Sequence, residues 1–376
     1  MNLGLRCLAF SLAMLLALEG GAQADTPLAA GGQALLRVTW SPADNARVKE
    51  AAGLLADYLN RMTGASFAPA PGTNDKALIV CLRTPGALSA EDDARLAALG
   101  PEAHMIRAGG GRVLLAGNSE KAVLNACYDL LERLGCRWLI PSARWTVVPR
   151  RSAPSVPDMA VFSEPHFAFR SIWYAYGMGA DASRDVLARD YNLWADANRL
   201  GGVAKYKCGH TYPSTVAKHE KEFQTHPEYF AMTEKGERLP FKTHQSLCYS
   251  NPRVAEVFIE DKLAELRADK AENPYAYTVS MDPNDGSDIC HCGPCKALGN
   301  GSDQCLHLAN QVARALRKEF PDAVVTFYVY ASHRLPPEKV QAEPNINVQV
   351  AMGFNNTQYT LEELVRLWRE KVSADR

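Results

Sequence analysis

The sequence predicts an α/β fold, with a small α/β sandwich domain followed by a (β/α) TIM-like barrel that is incomplete in this chain. Two patterns predict it. Up to residue 140, apolar strands are interleaved with two amphipathic helices, and beyond residue 165 strands and helices alternate. The chain has 376 residues, more than one ordinary small domain contains, so two domains are expected.

The first 24 residues are typical of a signal peptide. Residues 1–6 carry one positive charge, residues 7–18 are apolar apart from Ser11, and residues 22–24 are Ala-Gln-Ala, the pattern that signal peptidase recognises. The apolar run is shorter than the roughly 20 residues needed to span a bilayer. A buried N-terminal helix is the alternative, but the segment lacks an amphipathic pattern. We therefore expect cleavage after Ala24 and a secreted or periplasmic protein.

The predicted first domain, residues 25–140, places strands in one layer with two helices packed on a face. Gly64 and Gly135 follow the two helices, where a glycine commonly ends a helix. The predicted elements are a strand at 33–40, a helix at 44–62, a strand at 77–82, a hairpin of strands at 104–108 and 112–116, and a helix capped at Asn118 or Ser119 that runs to Leu134.

Residues 141–165 contain five prolines and are predicted to be a connector without regular strand pairing. The barrel is then expected over residues 166–376. A closed barrel needs eight strand–helix units, and about six are found, so it is predicted to be incomplete. The predicted strands are 167–176, 202–207, 245–249, 275–281, 324–330 and 347–352, with helices at 191–200, 254–270, 302–320 and 361–371.

The composition is that of an ordinary globular protein, with 47% hydrophobic and 22% charged residues. A formal net charge of −1 provides no electrostatic surface for nucleic acid or anionic membranes. The expected partners are therefore neutral or mildly charged small molecules or glycans.

Several segments resemble known families. Residues 122–141 resemble the N-terminal accessory domains of β-hexosaminidases and α-glucuronidases, and residues 165–170 resemble the start of the first barrel strand in those enzymes. Other segments resemble a secreted bacterial family, domain of unknown function 4838. They are GHTY at 209–212, HPEYF at 226–230, CYSNP at 248–252, SMDPND at 280–285 and CHCGPC at 290–295.

The resemblance implies a carbohydrate-active protein, a glycoside hydrolase that acts on glycans. The alternative is a non-catalytic glycan-binding protein of the same fold, because the barrel is predicted to be incomplete. A metal-stabilised structural protein is a third hypothesis, which rests on the cysteines alone.

The leading catalytic candidates are Asp282 and Asp285, which directly follow the strand predicted at 275–281. In parallel (β/α) folds the active site lies at the carboxyl ends of the strands, and glycoside hydrolysis uses two carboxyl groups. β-Hexosaminidases keep an Asp-Glu pair at this strand, whereas this segment lacks Glu. The alternative is a plain Pro-Asn-Asp-Gly turn.

Substrate-binding candidates are polar or aromatic side chains at or near predicted strand ends, with structural roles as the alternative for each. An arginine could bind a uronate carboxylate or make a structural ion pair, and aromatic faces could stack on sugars or pack in the core. The candidates are His210, Asn284, Arg170, Trp173, Tyr176, Tyr330 and His333.

Nine cysteines follow the predicted signal peptide, an odd number that leaves one unpaired or indicates a metal. Cys290, Cys292 and Cys295 are close enough in sequence to share one tetrahedral zinc ion. The fourth ligand could be Cys248, Cys305 or His291, and disulfides to Cys248 or Cys305 are equally compatible. No cofactor other than this possible structural zinc is expected.

Overall fold

The computed structural model describes residues 25–41, 44–72, 76–172, 183–285, 289–351 and 358–372. The chain divides into two units, residues 1–203 and 204–376. This division falls later than the predicted start of the barrel at residue 166. The predicted signal peptide lies outside the described residues. Within the described ranges, no helix combines the length and apolar character that crossing a membrane requires.

The first unit is built on a six-stranded sheet with the order β12-β7-β8-β6-β4-β5. The neighbours β8, β6, β4 and β5 run parallel to one another. Strand β7 pairs antiparallel with both of its neighbours, β8 and β12. The strands of this unit are β1 (Thr26–Pro27), β2 (Ala29–Ala30), β3 (Gln33–Ala34), β4 (Arg37–Trp40), β5 (Ala70–Pro71), β6 (Ala77–Leu82), β7 (His104–Gly109), β8 (Arg112–Gly117), β9 (Arg137–Trp138), β10 (Thr146–Val147), β11 (Ser155–Val156) and β12 (Met159–Ser163).

The two predicted helices of this unit are confirmed. Both pack on one face of the sheet, with their apolar residues in a core that includes Val80 and Leu115. Asn45 and Ser119 cap them by accepting hydrogen bonds from backbone N–H groups of the first turn. The helices of the unit are α1 (Ala46–Thr63), α2 (Ala90–Ala97), α3 (Glu120–Arg133) and α4 (Ser183–Ala197), with a short 3₁₀ turn at Ala143–Trp145.

The opposite face of the sheet is covered as well. Leu96 of α2, a helix that the sequence pattern did not predict, lies in a second cluster with Ile79 and Met105. Alternate residues of a strand point to opposite faces, so a strand buried on both sides is apolar throughout. This explains why β6 has the uninterrupted sequence ALIVCL.

The prediction that residues 141–165 lack strand pairing is wrong. Strand β12 pairs antiparallel with β7 along five residues at the edge of the sheet, and β11 pairs with β1. Pro154 and Pro157 flank β11, and an edge strand tolerates proline at its ends because fewer backbone N–H groups need partners there. The segment therefore completes the first unit.

The second unit contains three parallel strands in the order β13-β14-β15. A long helix, α9, connects the first two strands, as parallel neighbours require. The strands are β13 (Thr278–Ser280), β14 (Val324–Val329) and β15 (Ile346–Val350), and the helices are α5 (Tyr212–Lys218), α6 (Glu220–Thr225), α7 (Pro252–Glu272), α8 (Gly293–Leu298), α9 (Gly301–Glu319) and α10 (Leu361–Arg369), with 3₁₀ turns at Pro227–Tyr229 and Ala331–His333.

The predicted fold class is confirmed: an α/β sandwich is followed by a unit of the (β/α) type. The strands predicted at 202–207 and 245–249 are wrong, since neither segment forms a strand; His210, after the first segment, and Leu247, within the second, make isolated bridges. Of the strand predicted at 167–176, the described part makes a single bridge from Arg170 to Gly201. That the barrel is incomplete stays a prediction.

Asp303 fixes the start of α9 to the segment that follows β14. It belongs to a capping box with Asn300, and its fully buried carboxylate also accepts hydrogen bonds from the backbone N–H groups of Glu338, Lys339 and Val340 at 2.8–3.0 Å. One side chain therefore satisfies the N–H groups of two segments.

We expect Asp303→Ala to lower the free energy of unfolding by about 3 kcal/mol or more, because it leaves several buried N–H groups without acceptors. Glu363→Ala is a matched control, since Glu363 holds the same capping-box position at the exposed start of α10. That variant should lose under about 1 kcal/mol. Urea denaturation compares the two, and equal losses would contradict the anchoring role of Asp303.

Candidate active site at the strand ends

The segment 209–211 lies alongside the carboxyl end of β13. His210 and Asp282 form a parallel bridge, in which the Thr211 N–H donates to the Asp282 carbonyl oxygen at 3.3 Å. The Thr211 hydroxyl donates to the Ser280 carbonyl oxygen at 2.9 Å. Gly209 has a φ of +113°, a conformation that favours glycine at this turn. These contacts place His210 beside the carboxyl end of β13, whereas the sequence predicted it after a strand at 202–207 that does not form.

The Asp282 carboxyl group is fully buried at the centre of this contact. Its Oδ2 accepts a hydrogen bond from the Gly209 N–H at 2.6 Å and lies 2.9 Å from the Ser280 hydroxyl. Burial raises the pKa of Asp282 to about 6, and these hydrogen bonds, with contributions from the Tyr328 backbone N–H and His210, offset only part of that rise. Through the Gly209 N–H, the buried Asp282 holds the 209–211 segment in place.

The imidazole of His210 is exposed and has a defined orientation. Its Nδ1 faces the Pro283 carbonyl oxygen, which can only accept a hydrogen bond, so Nδ1 carries the proton in the neutral ring. Nε2 is then the acceptor nitrogen. The ring also contacts Tyr328 and Tyr330, with centroids 5.9 and 5.8 Å away. The side chain can therefore exchange a proton or bind a hydroxyl through Nε2.

Asp285 and this imidazole both contact the same tyrosine, Tyr330. The Tyr330 hydroxyl donates to Asp285 Oδ1 at 2.7 Å, and this bond raises the pKa of Tyr330. Asp285 is exposed, unlike Asp282. The structure thus brings His210, Asp285 and Tyr330 together from two neighbouring parallel strands and the adjoining segment.

Two other predicted binding residues are buried next to the cluster. Asn284 donates to the Gln245 carbonyl oxygen at 2.8 Å. His333 has no exposed surface, and its ring nitrogens have no hydrogen-bond partner within the part of the chain that the structure describes. Burial, reinforced by His210, lowers the pKa of His333 to about 3, so its ring is neutral. Both side chains are therefore buried behind the exposed groups of the cluster.

Of the remaining predicted binding residues that the structure describes, Arg170 makes contacts elsewhere. Arg170 lies in the first unit, where it forms an ion pair with Glu102 and donates to the Arg199 carbonyl oxygen at 2.9 Å. This is the structural ion pair left open above. Trp173 and Tyr176 lie outside the described residues.

Sequence reasoning missed Tyr328, which packs edge-on against His210. Tyr328 and Tyr330 are two residues apart on and just after β14, and such residues share one side of an extended segment. This alternation was visible in the sequence and could have paired Tyr328 with the predicted Tyr330.

Three of the four cysteines in a buried cluster follow Asp285 along the chain, and the fourth, Cys248, precedes it. The four Sγ atoms all lie within 4.8 Å of one another, and all four residues are buried; they are Cys248, Cys290, Cys292 and Cys295. Cys305 is also buried but is not a member. None of the nine cysteines among the described residues is in a disulfide.

A cavity of about 660 Å³ opens beside the cysteine-containing segment. Its lining includes Met232, Glu234, Ile289, His291 and Ser332. Ser332 is next to His333 in sequence, and Ile289 precedes the cysteines. The cavity therefore borders both the cluster and the residues that follow β14.

These features define the class of the protein: an α/β protein whose second unit presents a carboxylate, an imidazole and tyrosines at the carboxyl ends of parallel strands. A family model described as "Domain of unknown function (DUF4838)" matches residues 140–370, and the chain belongs to this family. The resemblance stated above is thus confirmed. A search of curated proteins finds no match to the chain.

Solved structures with similar overall form are glycoside hydrolases. The N-acetyl-β-hexosaminidase of Streptomyces plicatus is 14% identical, with a TM-score of 0.45, over 94% of this chain and 72% of that one. The chitobiase of Flavobacterium johnsoniae is 13% identical, with a TM-score of 0.49, over 93% and 56%. A family GH115 4-O-methyl-α-glucuronidase, BtGH115A, is 14% identical, with a TM-score of 0.46, over 82% and 44%. Likeness at this level defines neither reaction nor substrate.

We expect Asp282→Asn to change how stability depends on pH. A pKa raised from 3.8 to about 6 means that Asp282 contributes stability that is complete below pH 3.8 and is lost as pH rises through about 6. Asparagine does not titrate. The variant should therefore gain stability relative to the wild type between pH 4 and 7, by up to about 3 kcal/mol.

Urea denaturation at pH 4 and at pH 7 measures the difference in stability between Asp282→Asn and the wild type. Asp285→Asn is the matched control, because the same substitution at an exposed aspartate removes no buried carboxyl group. If Asp282→Asn and the wild type show the same pH dependence, the buried carboxyl does not titrate as described.

Proposed function

We propose that the protein is a secreted carbohydrate-active protein, a glycoside hydrolase that acts on glycans at the strand-end cluster of His210, Asp285 and Tyr330. The observation that carries this proposal is the convergence of an exposed carboxylate and an oriented, exposed imidazole at the carboxyl ends of β13 and β14. Strand ends of this kind hold the active sites of (β/α) folds.

The chemistry of glycoside hydrolysis assigns a role to each group. Cleavage needs a proton for the leaving oxygen and a second group that activates water or stabilises positive charge at the anomeric carbon. We assign proton donation to His210 Nε2 in its protonated form. Asp285 takes the proton of the attacking water, and that proton returns to His210 before the next turnover.

Tyr330 and Asp282 are positioning residues in this proposal. The Tyr330 hydroxyl holds one oxygen of Asp285, and its ring packs beside the imidazole. Asp282 holds the backbone of Gly209, so it fixes the segment that carries His210. The sequence predicts Asp282 as a catalytic group, but we propose a positioning role for it because its carboxyl group is buried.

A non-catalytic glycan-binding protein is the second candidate, and one observation favours it. Glycoside hydrolases commonly use two carboxyl groups that face the substrate. Of Asp282 and Asp285, only the latter is exposed. A carboxylate, an imidazole and a tyrosine suffice to bind sugar hydroxyls without cleaving a bond.

We expect the wild type to hydrolyse at least one member of a panel of aryl N-acetylhexosaminides, aryl uronides and polysaccharide digests. Asp285→Asn and His210→Gln should each lower kcat/KM about 10²-fold or more, because each removes a group that handles a proton. Tyr330→Phe should lower it less. Asp322→Asn, at an exposed aspartate before β14, is the matched control and should leave activity unchanged.

Calorimetric binding of the same oligosaccharides separates the two candidates. Binding without turnover, weakened by Asp285→Asn, would support the binding protein and reject the hydrolase. Neither binding nor turnover across the panel would reject both.

Secretion has its own test, and it rests on the signal-peptide pattern of residues 1–24. When the full chain is expressed in a bacterium with an outer membrane, we expect the mature protein in the periplasm or medium with Asp25 as its first residue. N-terminal sequencing checks this. A protein that stays in the cytoplasm with residues 1–24 attached would contradict export.

A further inference from the structure

We propose that Cys248, Cys290, Cys292 and Cys295 bind one zinc ion as a tetrahedral tetrathiolate site. The site would join the residues before α7 to the segment that leads from Asp285 into α8. This inference is independent of the proposed hydrolase activity, because it rests on the cysteine geometry alone.

The spacing of the sulfur atoms fits a metal and not a covalent bond. The Sγ of Cys248 lies 3.7 Å from that of Cys292 and 3.9 Å from that of Cys295. A tetrahedron with Zn–S bonds of about 2.3 Å has edges of roughly 3.8 Å. A disulfide needs about 2.05 Å. All four sulfurs are mutually close, whereas disulfide pairing would bring them together two by two.

The surroundings of the sulfurs suit negative charge. The backbone N–H of Met232 donates to Cys290 Sγ at 3.3 Å, and the Arg238 guanidinium lies 3.9 Å from the same atom. A zinc ion with four thiolates carries a net charge of −2, and N–H donors and a nearby cation stabilise such charge. The cluster is buried, so four ionised thiols without a metal would be strongly disfavoured there.

The structure also decides among the fourth ligands that the sequence left open. Cys305 is buried in α9 outside the cluster. His291 places its Nε2 4.0 Å from a carboxylate oxygen of Glu234 and lines the cavity. Cys248 is therefore the residue that completes the set with the three clustered cysteines.

The location of the site suggests what it stabilises. Cys248 and Cys290 are far apart in sequence, so a shared ion closes a long loop and reduces the entropy of the unfolded chain. Cys292 is the N-cap residue of α8. Ile289 and His291, which flank Cys290, line the cavity of about 660 Å³. Zinc would thus fix one wall of that cavity.

The test is the metal content of the protein after the full chain has been expressed and exported, with purification in the absence of added metal or chelator. We expect elemental mass spectrometry to find one zinc ion per chain. Replacing zinc with cobalt should give the thiolate-to-cobalt charge-transfer bands and the visible bands of a tetrahedral site. Cys248→Ser and Cys295→Ser should each lose zinc, whereas Cys305→Ser, another buried cysteine, should retain it.

A serine variant could fail to fold, so the wild type provides a second measurement. Stripping zinc with a mercurial reagent and a chelator, then removing both, should lower the melting temperature. Zinc should restore it, and magnesium should not. Protein that is free of metal with four free thiols, protein with disulfides among these cysteines, or protein with iron in place of zinc would each overturn the assignment.

Discussion

The buried carboxyl group of Asp282 is the interaction on which the candidate site depends. It binds the backbone N–H of Gly209 and so fixes the segment that carries His210 against the end of β13. This segment is not a regular strand and has few ladder hydrogen bonds of its own. A buried acceptor that is already paired makes such a contact costly to break, because separation would leave polar groups without partners in the interior.

The second unit secures its irregular segments in the same general way. Asp303 accepts four backbone hydrogen bonds and ties α9 to the residues after β14. The four clustered cysteines lie where residues 290–295 meet the residues just before α7. Groups that handle substrate occur on loops, and loops keep a fixed geometry only when something rigid holds them. In this unit, buried side chains that accept backbone hydrogen bonds, together with the parallel strands, hold the loops in place.

Burial divides two aspartates that the sequence treats alike. Asp282 and Asp285 are three residues apart on one strand-end segment, and both satisfied the rule that active-site carboxylates follow parallel strands. The first points into the interior and the second reaches solvent beside Tyr330. The alternation of side chains along a strand cannot predict which aspartate is buried, because the strand ends at Ser280 and the chain turns after it. Burial is therefore the reason why the proposed function gives Asp282 a positioning role and Asp285 a chemical one.

The sequence by itself determined the α/β class, the long helices α1, α3, α7 and α9, and the strands β13 to β15, because local periodicity and capping residues specify such elements. It also placed Asp285 and Tyr330 after strands that form, whereas the strand expected before His210 does not form. Only the tertiary structure decided that Cys248 joins the three clustered cysteines, that Arg170 pairs with Glu102, and that β12 completes the first sheet. These choices depend on contacts between residues distant in sequence, and no local pattern encodes which partner is near.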